Sequence, residues 1–135
     1  MTTIDKIVIE FIDHNLQRFP TCGDYKITEV EGKVILNIWV SRMNNQSYEC
    51  LVAIHEFVEW MTTDFKGIKE EDITFFDLLF EREREQGLHT DDEEPGFDPR
   101  SIYLREHTLA TSIEMTICAF LGIPWTEYDK TVEKL

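Results

Sequence analysis

The sequence predicts an α+β domain: a small antiparallel sheet, made of an N-terminal strand plus a hairpin, packed against three or four helices. Three observations carry this expectation. β-branched and aromatic residues in period-two alternation occupy the chain up to Val40, and helical periodicity takes over from Tyr48. No repeat or long linker divides the 135 residues, a length suited to one domain with one core.

The elements follow in order. Ile4 to Ile12 is rich in Ile and Val and reads as a strand. Phe19 to Asp24, punctuated by Pro20 and Gly23, reads as a turn. Tyr25–Val30 and Lys33–Val40 flank the pair Glu31-Gly32, a hairpin signal, and Val34, Leu36, Ile38 and Val40 share one face of the second arm. A first helix runs from Tyr48 to Phe65 and ends before Gly67, where a left-handed cap suits glycine. A second runs from Lys69 to Gln86 with Glu70, Glu71 and Asp72 in its first turn, favoured there by the helix dipole. After an acidic loop from Gly87 to Pro99, a third helix spans Ser101 to Leu121 and stops at Gly122. A short last helix starts at Pro124 or Thr126.

Charge narrows the partners. Thirteen Lys and Arg stand against 27 Asp and Glu, a formal net charge of -14, so nucleic acid and anionic membrane are not expected to bind. A protein partner and a small-molecule or peptide substrate stay open. The three cysteines, Cys22, Cys50 and Cys118, form no C-x-x-C pair and suggest a reducing compartment. With no leader-like start and no apolar stretch near the ~20 residues that cross a bilayer, a cytoplasmic location is expected.

Two helices carry the candidate chemistry. At ~100° per residue, Leu109, Ile113, Ile117 and Phe120 form one arc of the third helix, and Arg105, Ser112 and Thr116 mark its solvent side. A separate polar stripe of His107, Thr111 and Glu114 lies between apolar neighbours, and a Glu buried there needs a partner. The first helix contains His55-Glu56-Phe57-Val58-Glu59, whose i, i+4 spacing puts His55 and Glu59 on one face as two metal ligands would require. Its apolar arc of Leu51, Ile54, Val58 and Met61 is expected to face inward. Yet Cys50 to Phe65 contains no Lys or Arg, which is odd for a solvated polar face.

The segment resembles the H-E-x-x-H helix of zincin-type metallopeptidases, with Lys33–Val40 in the place of their edge strand, and departs from it in having Glu at position 59. The resemblance implies His55 and Glu59 as metal ligands and Glu56 as general base, with His107 or Glu114 completing the set. The chain also resembles a family of small uncharacterised phage and prophage proteins. That likeness runs through Arg18–Asp24, Leu51–Glu59, Phe76-Asp77, Glu94-Pro95-Gly96 and His107–Glu114, and it directs attention to Asp77 as a further ligand or a partner to a ligand.

A metal-binding protein is therefore expected, with a divalent ion (zinc first, iron or manganese as alternatives) held by His55, Glu59, His107, Glu114 and Asp77. Whether it is an enzyme stays open. One reading is a metal-dependent hydrolase with Glu56 as base. The other is a non-catalytic phage-type accessory protein that binds a protein partner, its His/Glu cluster serving as a clasp between helices.

Overall fold

Strand β1 (Lys6–Ile12), strand β2 (Gly23–Val30) and strand β3 (Lys33–Ser41) form one sheet in the order β1-β3-β2 in a computed structural model that describes residues 1–135. The β2–β3 hairpin turns on Glu31 and Gly32, at φ 52° and 79°. Positive φ at both central residues gives the turn a twist that matches the flanking strands.

The sheet is mixed, which corrects the expected antiparallel arrangement. β1 pairs parallel with β3, from Lys6↔Ile35 to Ile12↔Ser41, while β2 pairs antiparallel. Alternation specifies which face of a strand is buried but not which neighbour it takes. Here the connection from Asp13 to Cys22 wraps the end of β3: Ser41 N donates to Cys22 O, Arg42 N to Ile12 O, and the Gln17 amide to Trp39 O. The chain thereby reaches the far edge of β3 before returning. Lys33–Ser41 is consequently the central strand and not an edge strand.

Leu36, Ile38 and Val40 point from β3 into the core and are fully buried, the face their alternation predicts. Helix α1 (Gln46–Phe65) lies over them and contributes Leu51, Val52, Ala53 and Trp60. It begins two residues earlier than expected because Asn45 caps it, its side chain accepting from Tyr48 N at 3.2 Å. Helix α2 (Glu70–Glu85) builds a smaller apolar cluster of Ile73, Phe76 and Tyr103. Helix α3 (Leu104–Leu121) runs antiparallel to α1, since contacts climb one helix as they descend the other: His55 with Glu114, Glu59 with His107, Lys66 with Glu106. Helix α4 (Trp125–Glu133) closes the core with Tyr128. Gly67 and Gly122 take the left-handed conformation at φ 73° and 71°, as the helix ends predicted.

The α1–α3 pairing overturns one expectation in part. Of the arc expected to face inward, Leu51 is buried, Ile54 and Val58 are half-buried and Met61 is exposed, while His55, Glu56, Glu59 and Thr63 are buried beside Val52, Ala53 and Trp60. In α3 the buried residues are Glu106, His107, Ala110, Glu114 and Cys118, and Leu109 and Phe120 face outward. His55, Glu59, His107 and Glu114 are buried because they satisfy one another. No helix is long and apolar enough to cross a membrane.

Candidate metal centre

Four of the nine buried polar or charged residues meet between α1 and α3, His55, Glu59, His107 and Glu114, and a fifth, Glu56, follows His55 and lies against Gly23 of β2. Each helix supplies its members by spacing alone. His55 and Glu59 are one turn apart on α1, and His107 and Glu114 two turns apart on α3. The antiparallel crossing brings the two pairs face to face.

Three atoms converge. His55 Nε2 lies 3.1 Å from Glu59 Oε2 and 3.2 Å from His107 Nδ1. His107 Nδ1 lies 2.8 Å from the same Glu59 oxygen. Together His55, Glu59 and His107 form a group able to hold a metal ion. Metal–ligand distances of ~2.0–2.1 Å place the donors of one ion ~3.0 Å apart in an octahedral set and ~3.3 Å in a tetrahedral one. The observed edges fall close to that range.

The far side of each ring is committed elsewhere. His55 Nδ1 donates to Glu114 Oε1, and the Tyr128 hydroxyl donates to Glu114 Oε2. His107 Nε2 donates to Glu94 Oε2 at 2.8 Å. In neutral imidazoles these back-side bonds fix the tautomers, so that bare lone pairs of both histidines point at each other and at a carboxylate. Three acceptors that close repel one another unless a proton or a cation lies among them. A carboxylate behind each ligating histidine is the arrangement that orients metal-bound imidazoles.

Electrostatics agree with a cation-seeking site. Burial opposes the charged form of His55, but its bonds to Glu114 and Glu59 outweigh that and hold its pKa well above the histidine value. His107 feels the same opposition from burial and is lifted to about 9 by Glu59 and Glu94. Burial pushes Glu59 up, while hydrogen bonds from His107 and His55 bring it down to about 2. Without a metal the cluster therefore holds its protons tightly. Four carboxylates (Glu56, Glu59, Glu94, Glu114) surround two histidines, and α1 between Cys50 and Phe65 supplies no lysine or arginine to balance them.

Glu56 occupies a distinct position. It is 9% exposed and its carboxylate makes no hydrogen bond within the protein. Burial first, and the charge of Glu59 second, push its pKa well above the usual carboxylate range. Space for it comes from Gly23 on β2, where a Cβ would lie 2.6 Å from Glu56 Oε1.

The other two residues singled out as ligands are placed outside the converging set. Glu114 stands behind His55, bonded to its far nitrogen, and reaches the site through that ring. Asp77 accepts from the Tyr103 hydroxyl at 2.6 Å, and burial raises its pKa to about 7. Tyr103 in turn sets its ring edge-on to His107, with centroids 6.0 Å apart.

Sequence reasoning did not assign roles to Glu94, Gly96, Phe97 or Tyr128. The 3-10 turn Pro95–Phe97 covers His107: Phe97 packs edge-on to its ring at 4.5 Å, and a Cβ on Gly96 would meet its Cγ at 2.4 Å. Glu94-Pro95-Gly96 was among the segments of the expected phage-protein resemblance, which gave none of them a role. Compared with protein-family profiles, curated proteins and solved structures, the chain matches none, so the chemistry of this cluster is read from its own geometry.

Proposed function

We propose that the protein binds a divalent metal, zinc first among the candidates, through His55, Glu59 and His107, and uses it for hydrolysis with Glu56 as general base. The observation that carries this reading is the convergence of three acceptor atoms at 2.8–3.2 Å with the opposite nitrogen of each histidine already bonded to a carboxylate. Two histidines and one carboxylate suit zinc in a hydrolytic site, and iron or manganese in a site with open positions.

A metal held there would supply Lewis acidity toward a carbonyl or phosphoryl oxygen. The chain's own residues do the rest. Glu114 and Glu94 hold the two imidazoles in orientation, and Tyr128 holds Glu114. Glu56, the unbonded carboxylate with raised proton affinity, accepts the proton of the attacking water and returns it to the leaving group. Its place directly after His55 is the one the zincin resemblance assigns to the base.

Metal content by plasma mass spectrometry tests the reading, on wild type beside His55→Ala and His107→Ala. About one equivalent of zinc, iron or manganese, lost in both variants, is the expected result, followed by a hydrolysis screen with peptides and small esters. A second reading draws on the raised pKa values of both histidines: the cluster is an ion-paired clasp in an accessory protein with a protein partner. Protein that takes up no metal after refolding in its presence establishes the clasp and rejects the hydrolase.

A further inference from the structure

The apolar stripes of α1 and α3 are covered by the chain only in part: Ile54, Ile113 and Ile117 are half-buried, and the side chains beside them stand in the open. On α1 Met61 is 39% and Phe65 75% exposed; on α3 the values are 45% for Leu109, 88% for Phe120 and 55% for Leu121. At ~100° per residue Ile54, Met61 and Phe65 share one side of α1, and Leu109, Ile113 and Phe120 share one side of α3. Between the helices, where Cys50 and Ile54 meet Ile117 and Leu121, lies an open groove of about 250 Å³.

We infer that this face docks a second copy of the same chain. Shape is the first argument. A groove and, beside it, the protruding Phe120 ring are carried on one surface, so a two-fold axis would seat each Phe120 in the groove of the other copy. Charge is the second. The chain bears a net -14, and two copies repel over most of their surface. Along Ile54, Met61, Phe65, Leu109, Ile113 and Phe120 no acidic side chain stands unpaired, and the charged pair at the edge, Lys66 with Glu106 beside Phe65, is internally neutralised. This face is where like copies repel least.

Size is the third argument. At their exposures the two phenylalanines alone present on the order of 300 Å². Met61, Leu109 and Leu121 extend that toward the ~800 Å² that each partner buries in a standard interface, where a monomer's largest apolar patch is about 300–600 Å². Ile54, Met61 and Phe65 lie about a third of a turn around α1 from His55 and Glu59. Dimerisation and metal binding are therefore separable.

Sedimentation velocity on the full chain across the micromolar range tests the inference, with Phe120→Glu, Ile54→Glu and, as a control, Phe75→Glu on the outer face of α2. The wild type is expected to sediment at twice 16.0 kDa. Phe120→Glu and Ile54→Glu should each weaken self-association by at least about thirtyfold, the loss of a central anchor, and Phe75→Glu should not. Far-ultraviolet circular dichroism checks that each variant is folded. A wild type that stays at 16.0 kDa overturns the inference. So does a dimer that survives both groove variants, or one that only Phe75→Glu dissociates.

Discussion

Glu56 differs from the acids around it because nothing donates to it. Glu59 is bonded by two histidines, Glu94 by His107, and Glu114 by His55 and Tyr128. Glu94 and Glu114 are spent on orienting the imidazoles and Glu59 belongs to the converging set, whereas Glu56 is free to exchange a proton. Replacing it by Gln preserves shape and removes basicity. For Glu56→Gln the expected outcome is unchanged metal content with hydrolysis slowed by about 10²- to 10⁴-fold. Loss of the metal along with activity would make Glu56 a ligand and end its assignment as base. Tyr128→Phe addresses the opposite side of the cluster: it deletes one hydroxyl and leaves the ring in the core. Glu114 then orients His55 less firmly, and zinc affinity should fall by about tenfold in a competition titration with a chromophoric chelator. An unaltered affinity would show that the Tyr128 bond serves α4 packing alone.

At the scale of elements, two glycines matter for the space they leave rather than for their torsions. Gly23 opens β2 against Glu56, and Gly96 lets the Pro95–Phe97 turn rest on the His107 ring. Alanine at either site has to displace what it meets. Gly96→Ala should lift the turn, loosen the Glu94 bond to His107 and lower zinc affinity about 10- to 100-fold. Gly23→Ala should move Glu56 and spare the histidines, so that activity falls with metal retained. Identical losses of metal in both variants would mean that neither glycine acts locally. How far these elements were legible in the sequence follows from the same physics. Helix periodicity separates an apolar face from a polar one, and it placed His107 and Glu114 correctly on a buried stripe of α3. For α1 the apolar arc of Leu51, Ile54, Val58 and Met61 was the natural choice for the core, because a polar face is normally cheaper to leave in water, and of these only Leu51 is fully buried. The choice reverses only when a second helix brings complementary groups, and that pairing lies some 50 residues away in sequence. The absence of lysine and arginine between Cys50 and Phe65 was the local trace of it. Glu94 left no trace of its own, since it ends an acidic run whose preceding members, Asp91, Asp92 and Glu93, are exposed. The order and direction of the strands were equally invisible: β1 carries the composition of a strand but no mark of its parallel partner.

For the whole molecule, the cluster couples folding to pH, and a metal should change the sign of that coupling. Without metal, His107 is held at about 9 against an ordinary 6.5, so its contribution is full below pH 6.5 and is lost as pH rises through about 9. His55 is raised as well and acts in the same direction. Glu59, held at about 2 against 4.5, contributes fully above pH 4.5 and loses that as pH falls through about 2. Asp77 and Glu56 have raised values, so they too withdraw stability as pH climbs above their ordinary 3.8 and 4.5. The metal-free protein should therefore be most stable near pH 4.5, where Glu59 has made its full contribution, and should weaken as pH rises, first through Asp77 and Glu56 and then, above about 6.5, through the histidines as well. A metal requires the histidines deprotonated and competes with the same protons. Its stabilisation, given by mass action, should accordingly grow from small at pH 5 to large at pH 8. Thermal melts with excess zinc and with a chelator, across that span, measure the difference directly. A gap between the two curves that widens with pH is the expected result, and zinc should release protons on binding in weakly buffered solution. Curves that superimpose at every pH would mean that protons alone hold the cluster together.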